Sequence, residues 1–216
     1  MPWEQVLDMV FTGLLETIYM VFVSVVLAYI VGVPMGIILV ITEEGHISEN
    51  LTINSILGAM VNIGRSIPFI ILLIFIIPFT KLILGTFIGT TAMIPPLTVA
   101  AIPFVARMVE SSLKEIPWGV IEAALAAGAS PMQIICKVLI PEAMPSLVLG
   151  ATITTITLIG YSAMAGFVGG NGLGDVAVRY GYYRYETKLM FVVIIVLVLL
   201  VQILQMIGDR IAASID

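Results

Sequence analysis

Five stretches of this chain are long and apolar enough to cross a lipid bilayer, and that property excludes most folds. A helix needs ~20 predominantly apolar residues to span the hydrocarbon core, where no water can satisfy a bare peptide group. Thr17 to Thr42 carries no charge and is the first such run. Gly32, Pro34 and Gly36 near its end predict a kink or close packing against a neighbour. Asn50 to Thr80 is the second run, interrupted only by Arg65, with Pro78 and Lys81 marking its far end. Leu82 to Ala106 is the third, opened by Gly and Thr and broken by Pro95, Pro96 and Pro103. Ala143 to Gly174 is the fourth, dense in Thr, Gly and Ser, and Leu189 to Gly208 is the fifth and least polar. The pattern predicts spans at about 17–42, 56–80, 84–106, 147–168 and 188–208, with a loop at 107–146 and a tail at 209–216.

Composition agrees. Of 216 residues 60% are hydrophobic and only 11% charged, where a soluble domain averages about 25% charged residues. The formal net charge of −5, without a block of like charges, argues against nucleic acid and against a polybasic membrane contact. A single cysteine, Cys136, excludes an intramolecular disulfide and a cysteine metal cluster. His46, the only histidine, lies in the polar connector from Glu43 to Asn50, is expected to be solvated, and leaves no histidine-rich metal site. The acidic start MPWEQVLDMVF does not read as a secretory signal, so the first span is expected to serve as the targeting element. Five spans place the termini on opposite sides. Charge counting leaves the orientation tied, with Arg107, Lys114, Lys137 and Arg210 on one side and Lys81, Arg179, Arg184 and Lys188 on the other.

The loop between the third and fourth runs, EIPWGVIEAALAAGASPMQIICKVLIPEAMP (115–145), carries helix punctuation of its own. Pro117 suits a first helical position, and Gly128 suits the left-handed residue that ends the helix. Ser130, Pro131 and Gln133 predict a second start, with Ser130 as N-cap and Gln133 closing a capping box. Pro141 and Pro145 are expected to stop it. Two short helices joined by a tight turn result.

Glu122-Ala123-Ala124-Leu125-Ala126-Ala127-Gly128, followed by Ile140-Pro141, resembles the EAA motif of ABC-importer permeases, E-A-A-x3-G-x9-I-x-L-P. The Glu, both Ala, the Gly and the Pro are in place; Val138 and Ile140 replace the usual Ile and Leu. NIGRSIPFIILL (62–73), PLTVAAIPFVARMVE (96–110), EIPWGVIEAALAAGASPMQI (115–134) and TLIGYSAMAGFVGGNGLGDVAVRYGY (157–182) are similar to the methionine-importer permease family, and the likeness runs from about Glu16 to Arg210. That resemblance implies an all-α membrane protein with five transmembrane helices. Its type I ABC-importer permease core would cover 13–205, preceded by an extracytoplasmic segment at 1–12, with a two-helix cytoplasmic coupling loop and a cytoplasmic tail. It further implies a homodimer in the bacterial inner membrane, N-terminus outside and C-terminus cytoplasmic. Two copies of a cytoplasmic ATPase and an external methionine-binding lipoprotein would complete the importer. ATP and Mg would be bound by the ATPase, with no cofactor on this chain and no catalytic residue in it. The family mechanism is alternating access, and the EAA loop alone would equally suit a permease for another small amino acid or solute.

The resemblance makes Glu122, Ala123, Ala124, Gly128, Ser130 and Pro131 the ATPase-coupling surface, where small residues permit close docking and Glu122 can meet a basic partner. A helix lying on lipid would instead have a Lys/Arg-rich polar face, which this one lacks. Arg65 costs roughly 3 kcal/mol or more inside a bilayer; it reads either as an anchor that snorkels or pairs with Glu110, or as part of a pathway. The hydroxyls of Thr152, Thr154, Thr155, Thr157 and Ser162 suit tight helix packing or a polar path. The resemblance places Tyr161, Ser162 and Met164 near a dimer axis, with Met164 as an adaptable gate. Gly166, Gly169, Gly170, Gly172 and Gly174 read as a flexible turn or hinge, since no P-loop signature and no preceding strand accompany them. A membrane-embedded enzyme would need a Ser–His or paired Asp within the spans, which hold no His and no Asp. An ion channel would need a carboxylate ring or carbonyl filter, and neither sequence is present.

Overall fold

The computed structural model describes residues 2–215 and is helical nearly throughout. The elements are α1 (Trp3–Ile41), α2 (Leu51–Ser66), α3 (Phe69–Leu84), α4 (Ile94–Lys114), α5 (Trp118–Ala126), α6 (Pro131–Ile134), α7 (Ile140–Glu142), α8 (Met144–Ala165), α9 (Gly172–Val176) and α10 (Thr187–Ile215). Single π-helical turns lie at Ile135–Leu139 and Ala177–Tyr182.

At 39 residues and about 1.5 Å rise each, α1 is about 58 Å long, well beyond the ~30 Å hydrocarbon core. The stretch 1–12, expected as a separate segment, is therefore part of this helix from Trp3 onward. Its buried stripe, Gly13, Thr17, Met20, Ser24, Ala28, Gly32 and Gly36, repeats every three to four residues and faces α4 and α9. Gly32 and Gly36 let the two backbones meet: a Cβ there would lie 2.7 Å from Val105 and 2.6 Å from the Ala106 carbonyl oxygen. Glycine is the side chain that fits.

The second run is not one straight span. It breaks at Ile67-Pro68 into α2 and α3, bent by 104°. Proline removes a helical N–H and forces the preceding residue out of the α region, and Ile67 is accordingly extended (φ −83, ψ 121). In α4 the opposite holds. Pro95 and Pro96 lie in its first turn, and the helix continues through Pro103, which is buried against Gly64 of α2. Nor do Pro141 and Pro145 stop the chain. The π turn upstream of Pro141 widens the helix, and α6, α7 and α8 follow one another almost continuously. The tail expected at 209–216 likewise remains helical as far as Ile215, within α10.

The main core lies along α1, α4 and α8, around Met20, Leu97, Val105, Leu113, Leu139 and Leu158. Contacts fix the directions. Ser24 reaches the Ile94 carbonyl and Glu43 reaches Lys114, so α1 and α4 run parallel. Ser146 bonds Ser112, and Gly208 packs on Thr152, so α8 and α10 run against one another. One end of the bundle therefore gathers the 42–50 connector, the 115–143 segment and the end of α10. The other gathers the start of α1, residues 85–93 and residues 166–186. α10 is the most apolar span and the least covered by the rest of the chain, which suits a face toward lipid or another subunit.

Candidate functional site

The 115–143 segment projects from its end of the bundle. α5 begins after Pro117, which is its N-cap rather than its first helical residue, and only Ile121 of the helix is buried. Its end is a Schellman motif: Ala129 N–H donates to the Ala124 carbonyl (3.1 Å), Gly128 N–H to the Leu125 carbonyl (2.9 Å), and Gly128 has φ +80. The capping box is present, with Ser130 N–H donating to Gln133 Oε1 (2.8 Å) and Gln133 N–H to Ser130 Oγ (3.4 Å). Glu122, Ala123, Gly128, Ser130 and Pro131 are exposed, while Ala124 is half-buried against the core cluster that holds Ile121. Trp118, Leu125 and Met132 are exposed apolar residues on the same projection.

Polar contacts tie the base of this projection to the spans. Lys114 Nζ lies 3.0 Å from Glu43 and 3.1 Å from buried Glu110, whose other oxygen accepts from Arg107 at 2.6 Å. Arg107 also donates to Asn62 of α2. Glu110 is therefore engaged by Arg107 and Lys114, and its expected pairing with Arg65 does not form. His46, expected to be solvated, is half-buried edge-on against Trp118, ring centroids 5.3 Å apart. Burial pushes its pKa below 6.5, opposed by Glu43 and assisted by Lys114, which favours the neutral ring.

Arg65 is exposed and has no ion-pair or hydrogen-bond partner among the described residues. It lies at the α2–α3 break, lining a cavity of ≈ 140 Å³ with Gly64, Ile67, Phe69, Phe104 and Tyr161. Tyr161 stacks flat on Phe69, centroids 4.4 Å apart and planes 1° from parallel. Two residues singled out from the sequence, Arg65 and Tyr161, thus share one cavity. Ser162 is buried and spends its hydroxyl on the Ile159 carbonyl (2.7 Å). Met164 is 45% exposed and borders a different groove, with Phe167, Tyr182 and Met190. The threonines of α8 mostly bond their own i−4 carbonyls, as Thr154 does to Gly150 (2.8 Å).

The glycine-rich run is a packed element rather than a hinge. Leu173 is fully buried, and α9 sits between the ends of α1 and α8. Glu16 accepts from Asn171 Nδ2 (3.1 Å) and Gly172 N–H (2.9 Å), and Thr17 Oγ1 accepts from Leu173 N–H (2.9 Å). Asp175 beside it pairs with Arg179 at 2.7 Å, although burial raises its pKa overall. Hydrogen bonds to a charged group contribute ~1.5–3 kcal/mol, so Glu16→Ala is expected to destabilise the protein by about that much. Faster proteolysis confined to 166–186 would be the readout; an unchanged digestion rate would count against the lock. Glu16, Asn171 and the Pro68 break were not apparent as site features from the sequence. Pro68 was the one available signal, since it follows a polar Arg65-Ser66 pair.

Four helices long and apolar enough to cross a membrane, a fifth candidate span broken into α2 and α3, no strand among the described residues and a helical projection between α4 and α8 together make the type I ABC-permease fold. A family model described as "Binding-protein-dependent transport system inner membrane component" matches residues 32–216. The chain belongs to that family. It is 54% identical over 209 residues to the probable D-methionine transport system permease protein MetI of Vibrio cholerae, covering 97% of this chain and 93% of that one. It is 55% identical over 163 residues to the D-methionine transport system permease protein MetI of Escherichia coli K12, covering 76% and 75%. Among solved structures, an inward-facing MetNI methionine ABC transporter chain superposes with TM-score 0.98 at 51% identity over the full length of both. An amino acid ABC transporter crystallised with histidines shares the fold, with TM-score 0.72 at 17% identity, covering 96% of this chain and 92% of that one.

Proposed function

We infer that this chain is the permease subunit of an ATP-binding-cassette importer that carries methionine across the bacterial cytoplasmic membrane. The observation that carries this reading is full-length likeness to proteins named for methionine transport, at 51–54% identity. At that identity the spans and the loops between them are shared, not the fold alone.

In this reading the chain hydrolyses nothing itself. Two copies form the path, two cytoplasmic ATPases dock on the projections, and an extracytoplasmic methionine-binding lipoprotein delivers cargo. The end bearing α5 is cytoplasmic and the start of α1 is outside. Glu122, Ala123, Ala124, Gly128, Ser130 and Pro131 meet the ATPase, joined by Trp118, Leu125 and Met132. Ile121, buried in the core with Ile134 and Leu139, and the Lys114–Glu43–Glu110 contacts couple α5 to the bases of α1 and α4. Closure of the ATPases on ATP then moves whole helices. Tyr161 and Met164 line or gate the path, and Ser162 holds their helix in place.

The test is copurification with the ATPase and binding protein, followed by uptake of labelled methionine into proteoliposomes under competition. Unlabelled methionine is expected to compete best. Uptake competed by another amino acid and not by methionine would overturn the substrate assignment.

A further inference from the structure

Pocket and charge meet at the broken second span. We propose that Arg65 forms a transient binding site for the carboxylate of the amino-acid cargo, with Phe69, Tyr161 and Phe104 receiving its side chain; this rests on the reading above that the cargo is methionine.

Five observations lead there. Arg65 lies beyond the layer in which Glu43, Lys114, Glu110, Arg107 and Asn62 are joined, and has no anionic partner among the described residues. A guanidinium within a span is costly unless something pairs with it, and its planar fork matches a carboxylate in two parallel hydrogen bonds. The cavity it lines is walled by aromatic rings, and a thioether gains from contact at ~5 Å with such rings. Its ≈ 140 Å³ suits an amino acid rather than a drug-sized ligand, whose pockets hold about 300 Å³ or more.

The other two observations concern placement. The cavity lies where a span is interrupted, and α3 begins at its wall with a first turn that has no side-chain cap. Discontinuous helices in transporters put such backbone groups beside the cargo. The cavity's lining comes from α2, α3, α4 and α8, and none of it from α1 or α10.

The whole importer, with ATPase and binding protein, is reconstituted in proteoliposomes as wild type, Arg65→Gln and Arg65→Lys, in preparations matched for assembled complex. Losing one charge-assisted pair is expected to lower methionine uptake by Arg65→Gln at least ~10-fold, while Arg65→Lys retains an intermediate rate because it keeps the charge without the fork. A diazirine analogue of methionine is expected to label residues 64–72, Phe104 or Tyr161 in wild type and not in Arg65→Gln; its carboxamide is expected to label neither. Normal uptake by Arg65→Gln, or equal labelling by acid and amide, overturns the site while leaving methionine import intact. A defect that vanishes in vesicles lacking anionic lipid assigns Arg65 to a lipid phosphate instead and also overturns it. Wild-type vesicles that import another amino acid and no methionine sink the reading beneath it, and this site with it.

Discussion

Gly128→Trp is expected to abolish ATP-driven uptake while leaving a folded permease in the membrane. Gly128 ends α5 at φ +80, and a Cβ there would meet nothing within 4 Å. The intramolecular cost is therefore the left-handed backbone alone, about 1–2 kcal/mol. A domain with ~5–15 kcal/mol in hand survives that. An indole placed on an exposed turn would instead occupy the surface assigned to the ATPase. The expected result is loss of the ATPase from the copurified complex and loss of uptake with it. Gly128→Asn is the control: asparagine tolerates the left-handed region and is small, so it should keep most of both. A tryptophan variant that still binds the ATPase and imports cargo would remove α5 from the coupling path.

The second large effect lies at the other end of the molecule and belongs to folding. A Cβ on Gly174 would sit 2.5 Å from the Ala163 Cα and carbonyl oxygen. One on Gly166 would sit 2.5 Å from the Asp175 nitrogen. The end of α8 and the start of α9 thus touch backbone to backbone, and no side chain there can rotate out of the way. Gly174→Val is expected to cost about 3 kcal/mol or more, lowering the melting temperature by about 6–12 °C in a chain of this size. Gly58→Ala makes the contrast. Its Cβ would meet Leu39 at an ordinary 3.8 Å, within α2, so the change should be neutral or stabilising by about 0.5–1 kcal/mol. Thermal unfolding in detergent measures both. Equal melting temperatures for the two variants would mean that the α8–α9 contact yields.

The reach of sequence reading divides by distance along the chain. The Schellman end at Gly128 and the capping box at Ser130 and Gln133 were legible because each closes within five residues and depends on local backbone rules. Pro141 was visible too, but its consequence was not. Whether a proline ends a helix or is absorbed by a π turn depends on what the next turn can pack against, and Leu139 is buried in the central core. The same residue type separates α2 from α3 at Pro68 and leaves α4 intact at Pro103. Pro103 is sealed against Gly64, while the break at Pro68 is the place where Phe69 meets Tyr161.

By itself the sequence determined that this chain belongs in a membrane, has five apolar runs of spanning length and carries a capped helical projection. Desolvation and local capping are additive properties of neighbouring residues. The EAA string also pointed to a family that the comparisons bear out. Only the tertiary structure decided the polar contacts between distant segments. Lys114 reaches Glu43 across 71 residues, Arg65 lies open on a cavity, and Glu16 closes on a backbone 156 residues away. The partners of Glu110 lie one turn away on its own helix, where i,i+3 and i,i+4 spacing brings them together, whereas those of Glu16 are set by packing between distant segments that no local sequence encodes.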